Sequence, residues 1–229
     1  MVDESVNNAD NGEVGKPSWN PVNPHDRFAR KTIGNPIYAT DFIRCYAEPV
    51  VAETINLDKL EVAQTHFLSE RLKEIILDIP FVTKLRDTEN DADVMIFIEH
   101  KSSPSRVVPL QLLTQALMSL YGDWTAAGYS ETFVPKLPVM ILLYNGAGEQ
   151  KRELTFQGMF PNVPAGLRLI VPQFRVVVID MQAFDYDKLP GNLVSQAIAE
   201  SFKRATDGTF AEHFEDVLRR IWLGSKCLI

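Results

Sequence analysis

A mixed α/β fold is predicted for this chain. Short apolar runs bounded by polar residues read as strands, longer stretches with apolar residues three and four apart read as helices, and no internal repeat is visible. With 229 residues, 45% hydrophobic and 10% aromatic, the chain can bury a full core in one domain. Residues 1–23 are rich in Asn, Asp, Glu, Gly and Pro, cannot offset the entropy of ordering, and read as a flexible tail. A globular domain is expected over 24–190, with a C-terminal helical extension over 191–229 packed on it.

From Pro24 the pattern is helical, with His25-Asp26 as the candidate cap, and Gly34-Asn35-Pro36 interrupts it before Tyr38, Phe42, Cys45 and Tyr46 resume the spacing. This predicts two short helices or one broken one. LEVAQTHFLS (60–69) and EIILDIPFVTKL (74–85) read as strands, and the run from Asp93 as a third. PLQLLTQALMSLYGDWTAAG (109–128) places Leu110, Leu113, Leu117, Leu120, Tyr121 and Trp124 on one helical face and Gly128 at the stop. Leu137 to Tyr144 and Arg175 to Met181 are further strands, and Leu193 to Ala205 and Phe210 to Leu223 a closing helical pair.

Composition excludes several classes. Lys and Arg number 23 against 30 Asp and Glu, a net charge of -7, so any nucleic-acid contact has to be local. Cys45 and Cys227 lack CxxC spacing and suit a reducing compartment. The N-terminus lacks a basic start followed by an apolar core, and no apolar run is long enough for a bilayer, so a cytoplasmic location and no membrane partner are expected.

The chemistry-bearing stretch is DVMIFIEHKSSP (93–104). Side chains alternate along a strand, so Glu99 and Lys101 share a face, with Cα atoms roughly 6.6 Å apart by strand rise. Both faces are apolar as far as Ile98, which is the pattern of a central strand covered on each side. The polar cluster RDTEND (86–91) reads as the turn of a hairpin, and pairing across it sets Asp78 opposite a residue within one or two of position 100. An acid inside IILDIPF is otherwise costly, because a buried carboxylate needs a partner or a metal. Asp78, Glu99 and Lys101 would then converge. That set suits phosphodiester hydrolysis: Mg²⁺ commonly takes one or two carboxylates and keeps waters, while a nearby ammonium orients the nucleophile or stabilises developing charge. On residue type alone the plainer reading is favoured, with Glu99 and Lys101 an ion pair where a strand leaves the core and Asp78 a bulge residue, since structural ion pairs are common.

Asp78 followed by Glu99-x-Lys101 resembles the PD-(D/E)xK nuclease signature. IEHKSSP, with HDRFARKTIGNP and DFIRCY upstream, resembles more specifically the recombination-promoting nuclease (Rpn) family, also described as transposases; the likeness runs from about Pro24 to Tyr144. The resemblance implies a restriction-endonuclease-like α/β fold, a central mixed sheet flanked by helices, and a Mg²⁺-dependent DNA endonuclease, with Mn²⁺ as a substitute, acting in recombination or on mobile elements. It implies Asp78 and Glu99 as metal ligands with the main-chain carbonyl of His100, and Lys101 as the catalytic amine. The helical Glu of many relatives corresponds to Glu48 or Glu53. Arg27, Arg30, Lys31 and Arg106 are candidate phosphate contacts, and Gln111 and Gln115 either DNA-facing groups or supports for the site. DNA is the expected partner, and a homodimer is compatible with the reading. Departures are Leu77 where the signature has Pro, and Pro80 just after Asp78, which removes a ladder donor and calls for an edge or a bulge. A second Glu-x-Lys, Glu149-Gln150-Lys151, lies just past a turn and is read as a decoy. The alternatives are an inert nuclease-fold module that binds DNA ends or protein, and a small-molecule phosphoesterase, which the absence of a Gly-rich phosphate loop disfavours.

Overall fold

The computed structural model describes residues 24–63, 80–86, 92–147 and 154–226. Helices α1 (Pro24–Ile33), α2 (Pro36–Tyr46) and α3 (Pro49–Thr54) precede strands β1 (Glu61–Val62), β2 (Phe81–Lys84) and β3 (Asp93–Lys101). Helix α4 (Val108–Ala126), strands β4 (Leu137–Tyr144), β5 (Leu154–Thr155) and β6 (Arg175–Asp180), and helices α5 (Leu193–Asp207) and α6 (Phe210–Lys226) complete the order. The expected mixed α/β architecture with a C-terminal helical pair is present. Asn35 breaks the first helical stretch: its Oδ1 accepts from Ile37 N–H at 3.0 Å, and Pro36 opens α2. Pro24 already belongs to α1, so His25 and Asp26 lie in its first turn rather than at a cap.

The six strands run in the order β1-β2-β3-β4-β6-β5. β2 and β3 are antiparallel, with Phe81 opposite Ile96 and Lys84 opposite Asp93, as expected for the hairpin read from RDTEND. β3, β4 and β6 are parallel, with Glu99 beside Leu142, Lys101 beside Tyr144, and Tyr144 beside Asp180. β3 is therefore central. Its Val94, Ile96 and Ile98 enter a core with Phe42, Ile43, Ile198 and Phe202 of α2 and α5, whereas Met95 and Phe97 enter a second core with Val108, Leu112 and Ala116 of α4. The strand predicted over 74–85 is seen from Phe81 onward; the β2–β3 ladder starts directly after Pro80, whose carbonyl accepts from Ala63 N–H at 2.8 Å. Residues 74–79, Asp78 included, lie outside the described residues, as do 64–69 of the first predicted strand.

Helix α4 forms where its periodicity predicts, and Gly128 beyond its end takes φ +66°, the left-handed conformation a helix stop favours. Its packing face, however, is not the leucine stripe. Leu110, Leu117, Tyr121 and Trp124 are exposed, and the buried residues are Val108, Pro109, Leu112, Gln115, Ala116 and Gly122. The inner face combines Val108 and Leu112 with the small Ala116 and Gly122, while Leu110, Leu117, Tyr121 and Trp124 point outward.

Asn145, just past β4, fastens the end of β3 to α5. Its N–H donates to Lys101 C=O at 3.1 Å, its Nδ2 to Phe202 C=O at 3.1 Å, its Oδ1 meets His100 Nε2 at 2.9 Å, and its carbonyl accepts from the Thr206 hydroxyl. The next residue has to be glycine, because a Cβ at Gly146 would lie 2.6 Å from the Ser102 carbonyl oxygen. α6 is held by a buried carboxylate: Glu200 accepts from Arg204 Nε at 2.6 Å and from Arg220. Burial pushes the Glu200 carboxyl up, but the bonds from Arg204 and Arg220 outweigh it and hold its pKa below 4.5.

Asn145→Ala removes the side-chain bonds to the Phe202 carbonyl and the His100 ring and is expected to cost about 1.5 kcal/mol in a urea titration; a midpoint equal to wild type would show the bonds contribute nothing. Because the folded pKa of Glu200 lies below its unfolded value, the stability it contributes is complete above 4.5 and is lost as pH falls through the folded value. Acid unfolding monitored by circular dichroism should therefore show a shallower loss below 4.5 in Glu200→Gln, and an unchanged slope would remove Glu200 from that transition.

Candidate active site

The β-branched and aromatic run of β3 favours extended chain, and its alternation fixes the facing of each later side chain. After Met95 and Phe97, the next side chain on the α4 face is Glu99, buried at 7% exposure. Its Oε1 lies 2.5 Å from Lys101 Nζ, and its Oε2 accepts from Gln115 Nε2 at 3.2 Å. The strand thus supplies the amine two residues on, and α4 supplies an amide from above. Gln115 is itself buried at 2% exposure, and its Oε1 has no hydrogen-bond partner among the described residues. Tyr144, on the neighbouring strand beside Lys101 and on the same face, is fully buried.

His100 points to the other side of the sheet. Its ring lies 5.6 Å from that of Phe202 and borders a small cavity of about 20 Å³ lined also by Ala29, Arg30, Ile33 and Phe81. Arg30 accordingly stands beside the end of β3, but across the sheet from Glu99. Lys31 is exposed on α1, Arg106 is exposed in the loop leading from β3 to α4, and Gln111 is exposed on α4. Of the two helical glutamates, Glu48 forms a bidentate pair with Arg175 at 2.6 and 2.8 Å on the α2 side of the sheet, and Glu53 is exposed. Glu48 is thus not aimed at the Glu99 face. Asp78, the side chain of Arg27, and the decoy Glu149 and Lys151 lie outside the described residues.

The structure brings Glu99, Lys101 and Gln115 together and separates them from His100, Arg30 and Glu48. Sequence reasoning missed Asn145 and Tyr144. Asn145-Gly146 carries a turn signal, and turn residues are ordinarily read as exposed; only the strand ends packed around it reveal a buried asparagine. Among the described residues no three His, Cys, Asp or Glu side chains cluster as a metal cage. The oxygens that are present, a buried carboxylate and a buried amide carbonyl without a partner among the described residues, suit a small divalent cation and its bound waters. Lys101 supplies the charge that compensates the carboxylate.

No helix among the described residues is long and apolar enough to cross a membrane. No solved structure matches the chain significantly. Two curated relatives align over 79 residues at 30% identity, which is 34% of this chain. One, from Escherichia coli (strain K12), is named "Putative inactive recombination-promoting nuclease-like protein YjiP", and the aligned region covers 75% of it. The other, "Recombination-promoting nuclease RpnD" of Escherichia coli O157:H7, is covered over 30% of its length. The family described as "Putative transposase, YhgA-like" matches residues 23–225, from the start of α1 to the end of α6, and the chain belongs to that family.

Proposed function

We propose that this protein is a Mg²⁺-dependent DNA endonuclease acting in recombination or on mobile elements, with Mn²⁺ able to substitute. The observation that carries the reading is the buried Glu99, held on the inner face of the central strand with Lys101 at 2.5 Å. The name of the relative RpnD supports DNA as substrate. In this proposal Asp78, Glu99 and the His100 main-chain carbonyl hold the cation. The β2–β3 register supports the pairing: Phe81 faces Ile96, and a ladder continued three residues back would set position 78 against Glu99.

When bound, the cation supplies a water of lowered pKa and neutralises charge on the scissile phosphate. Glu99 fixes the position of that charge, because β3 is locked between β2 and β4 and its carboxylate cannot turn to solvent. Lys101 leaves Glu99 Oε1 and places its ammonium on the phosphate oxygens or the attacking water. Asn145, bonded to the Lys101 carbonyl, keeps the backbone from which that amine swings. Arg30 beside the end of β3 and Arg106 in the loop that follows it, together with Lys31, Arg27 and Gln111, would supply the local basic and polar contact that a chain of net charge -7 requires. One observation favours a second reading, an inert module that binds DNA ends or protein: the relative YjiP carries "inactive" in its name.

Supercoiled plasmid incubated with purified protein should be nicked with Mg²⁺ or Mn²⁺ and protected by chelator. Asp78→Asn and Glu99→Gln are expected to lower cleavage at least a hundredfold and to weaken metal binding, since each removes a ligand charge at constant volume. Lys101→Ala should abolish cleavage with metal affinity equal or higher, because a competing cation is gone. Glu149→Gln and Lys151→Ala should do neither. Cleavage that persists in Glu99→Gln would move the site elsewhere, and a folded wild type that binds DNA but cuts nothing with either metal would establish the inert module.

A further inference from the structure

Gln115 divides its amide between two tasks. The buried Nε2 donates to Glu99 Oε2 at 3.2 Å, which fixes the orientation of the group, since the flipped amide would aim an oxygen at a carboxylate. Oε1 is then committed to a buried position with no donor among the described residues. A buried carbonyl oxygen kept without a partner is unfavourable, and its retention calls for a donor that arrives with something else. Lys101, whose ammonium lies on Glu99 Oε1, is not bonded to that oxygen. A small hard cation brings its own donors, because Mg²⁺ sheds its hydration shell reluctantly and its bound waters carry polarised O–H groups.

We infer that Gln115 is the positioning residue of the metal's hydration shell: Nε2 orients Glu99, and Oε1 accepts a hydrogen bond from a water bound to the cation. This rests on the metal-binding reading of Glu99 and adds a residue that touches neither DNA nor the ion. It also separates the two glutamines of α4. Gln111, one turn earlier, is exposed and free to meet a substrate, while Gln115 is enclosed and can serve only the site.

The test is a calorimetric Mn²⁺ titration of the full chain without DNA, on wild type, Gln115→Met and Gln115→Glu, with thermal unfolding in chelator as a control. Wild type is expected to bind Mn²⁺, and Gln115→Met to bind about tenfold more weakly, the lower end of what loss of an outer-shell partner costs. In chelator, Gln115→Met should unfold near the wild-type temperature, because the lost bond to Glu99 is offset by removal of an unsatisfied oxygen. Gln115→Glu keeps an acceptor and should bind Mn²⁺ at least as tightly as wild type; this variant carries the test if Gln115→Met fails to fold. The inference is overturned if Gln115→Met binds like wild type, or if Gln115→Glu loses as much affinity as Gln115→Met, which would leave only the orienting bond to Glu99. A wild type that takes no Mn²⁺ overturns the metal reading itself, and this inference with it.

Discussion

A carboxylate placed on the inner face of a central strand constrains everything around it. Glu99 comes after Met95 and Phe97 on a face that would otherwise be a dry core, and a lone ion there would be unstable by several kcal/mol. Lys101 and Gln115 remove that penalty in different ways, one with charge and one with a donor. Each has a structural requirement. Lys101 has to remain on the strand beyond the last apolar residue, which sets the length of β3, and Gln115 needs α4 packed on the sheet, which Val108, Leu112 and Ala116 do against Met95 and Phe97.

The sheet then divides its labour between its two sides. On the α4 side stand the groups with chemistry to offer. On the other side, α1, α2 and α5 bury Val94, Ile96 and Ile98, and the polar side chain of β3 that reaches across is His100, which Asn145 holds. Because Asn145 also bonds the Lys101 carbonyl and two groups of α5, the Phe202 carbonyl and the Thr206 hydroxyl, that helix is mechanically joined to the strand that bears the site. Displacement of α5 would be felt at Lys101 without any direct contact between them.

Much of this was legible in the sequence, and the exceptions have physical causes. The unbroken apolar run before Glu99 announced a central strand, because only a strand covered on both faces tolerates it. The hairpin was legible from RDTEND, and the β2–β3 ladder has that sense. Helix α4 was legible as a helix, but its orientation was not: Leu110, Leu117, Tyr121 and Trp124 share the helical spacing of a core face, whereas the buried face is set by Val108, Leu112, Gln115, Ala116 and Gly122. Gln115 and Asn145 were obscured for a related reason. Amides read as surface or turn residues until the partners that justify burying them are known, and those partners come from elements 16 and 57 residues away.

The pairing that makes the site stable is also the pairing that opposes its use. With Lys101 on Glu99 Oε1, the carboxylate is neutralised and the buried charge is satisfied; a divalent cation has to displace that ammonium before Glu99 can serve as a ligand. The exchange is favourable only if the cation brings more than it removes, and two features tilt it that way. Lys101 is a quarter exposed, so its released ammonium returns toward water or to a phosphate rather than into apolar surroundings. Glu99 alone does not tell one cation from the other; in the proposed function the Gln115 oxygen, which the Lys101 ammonium does not reach in this structure, would accept from a hydrated ion. On that proposal an amide beside the carboxylate would bias the site toward a hydrated metal and leave the lysine free for the substrate.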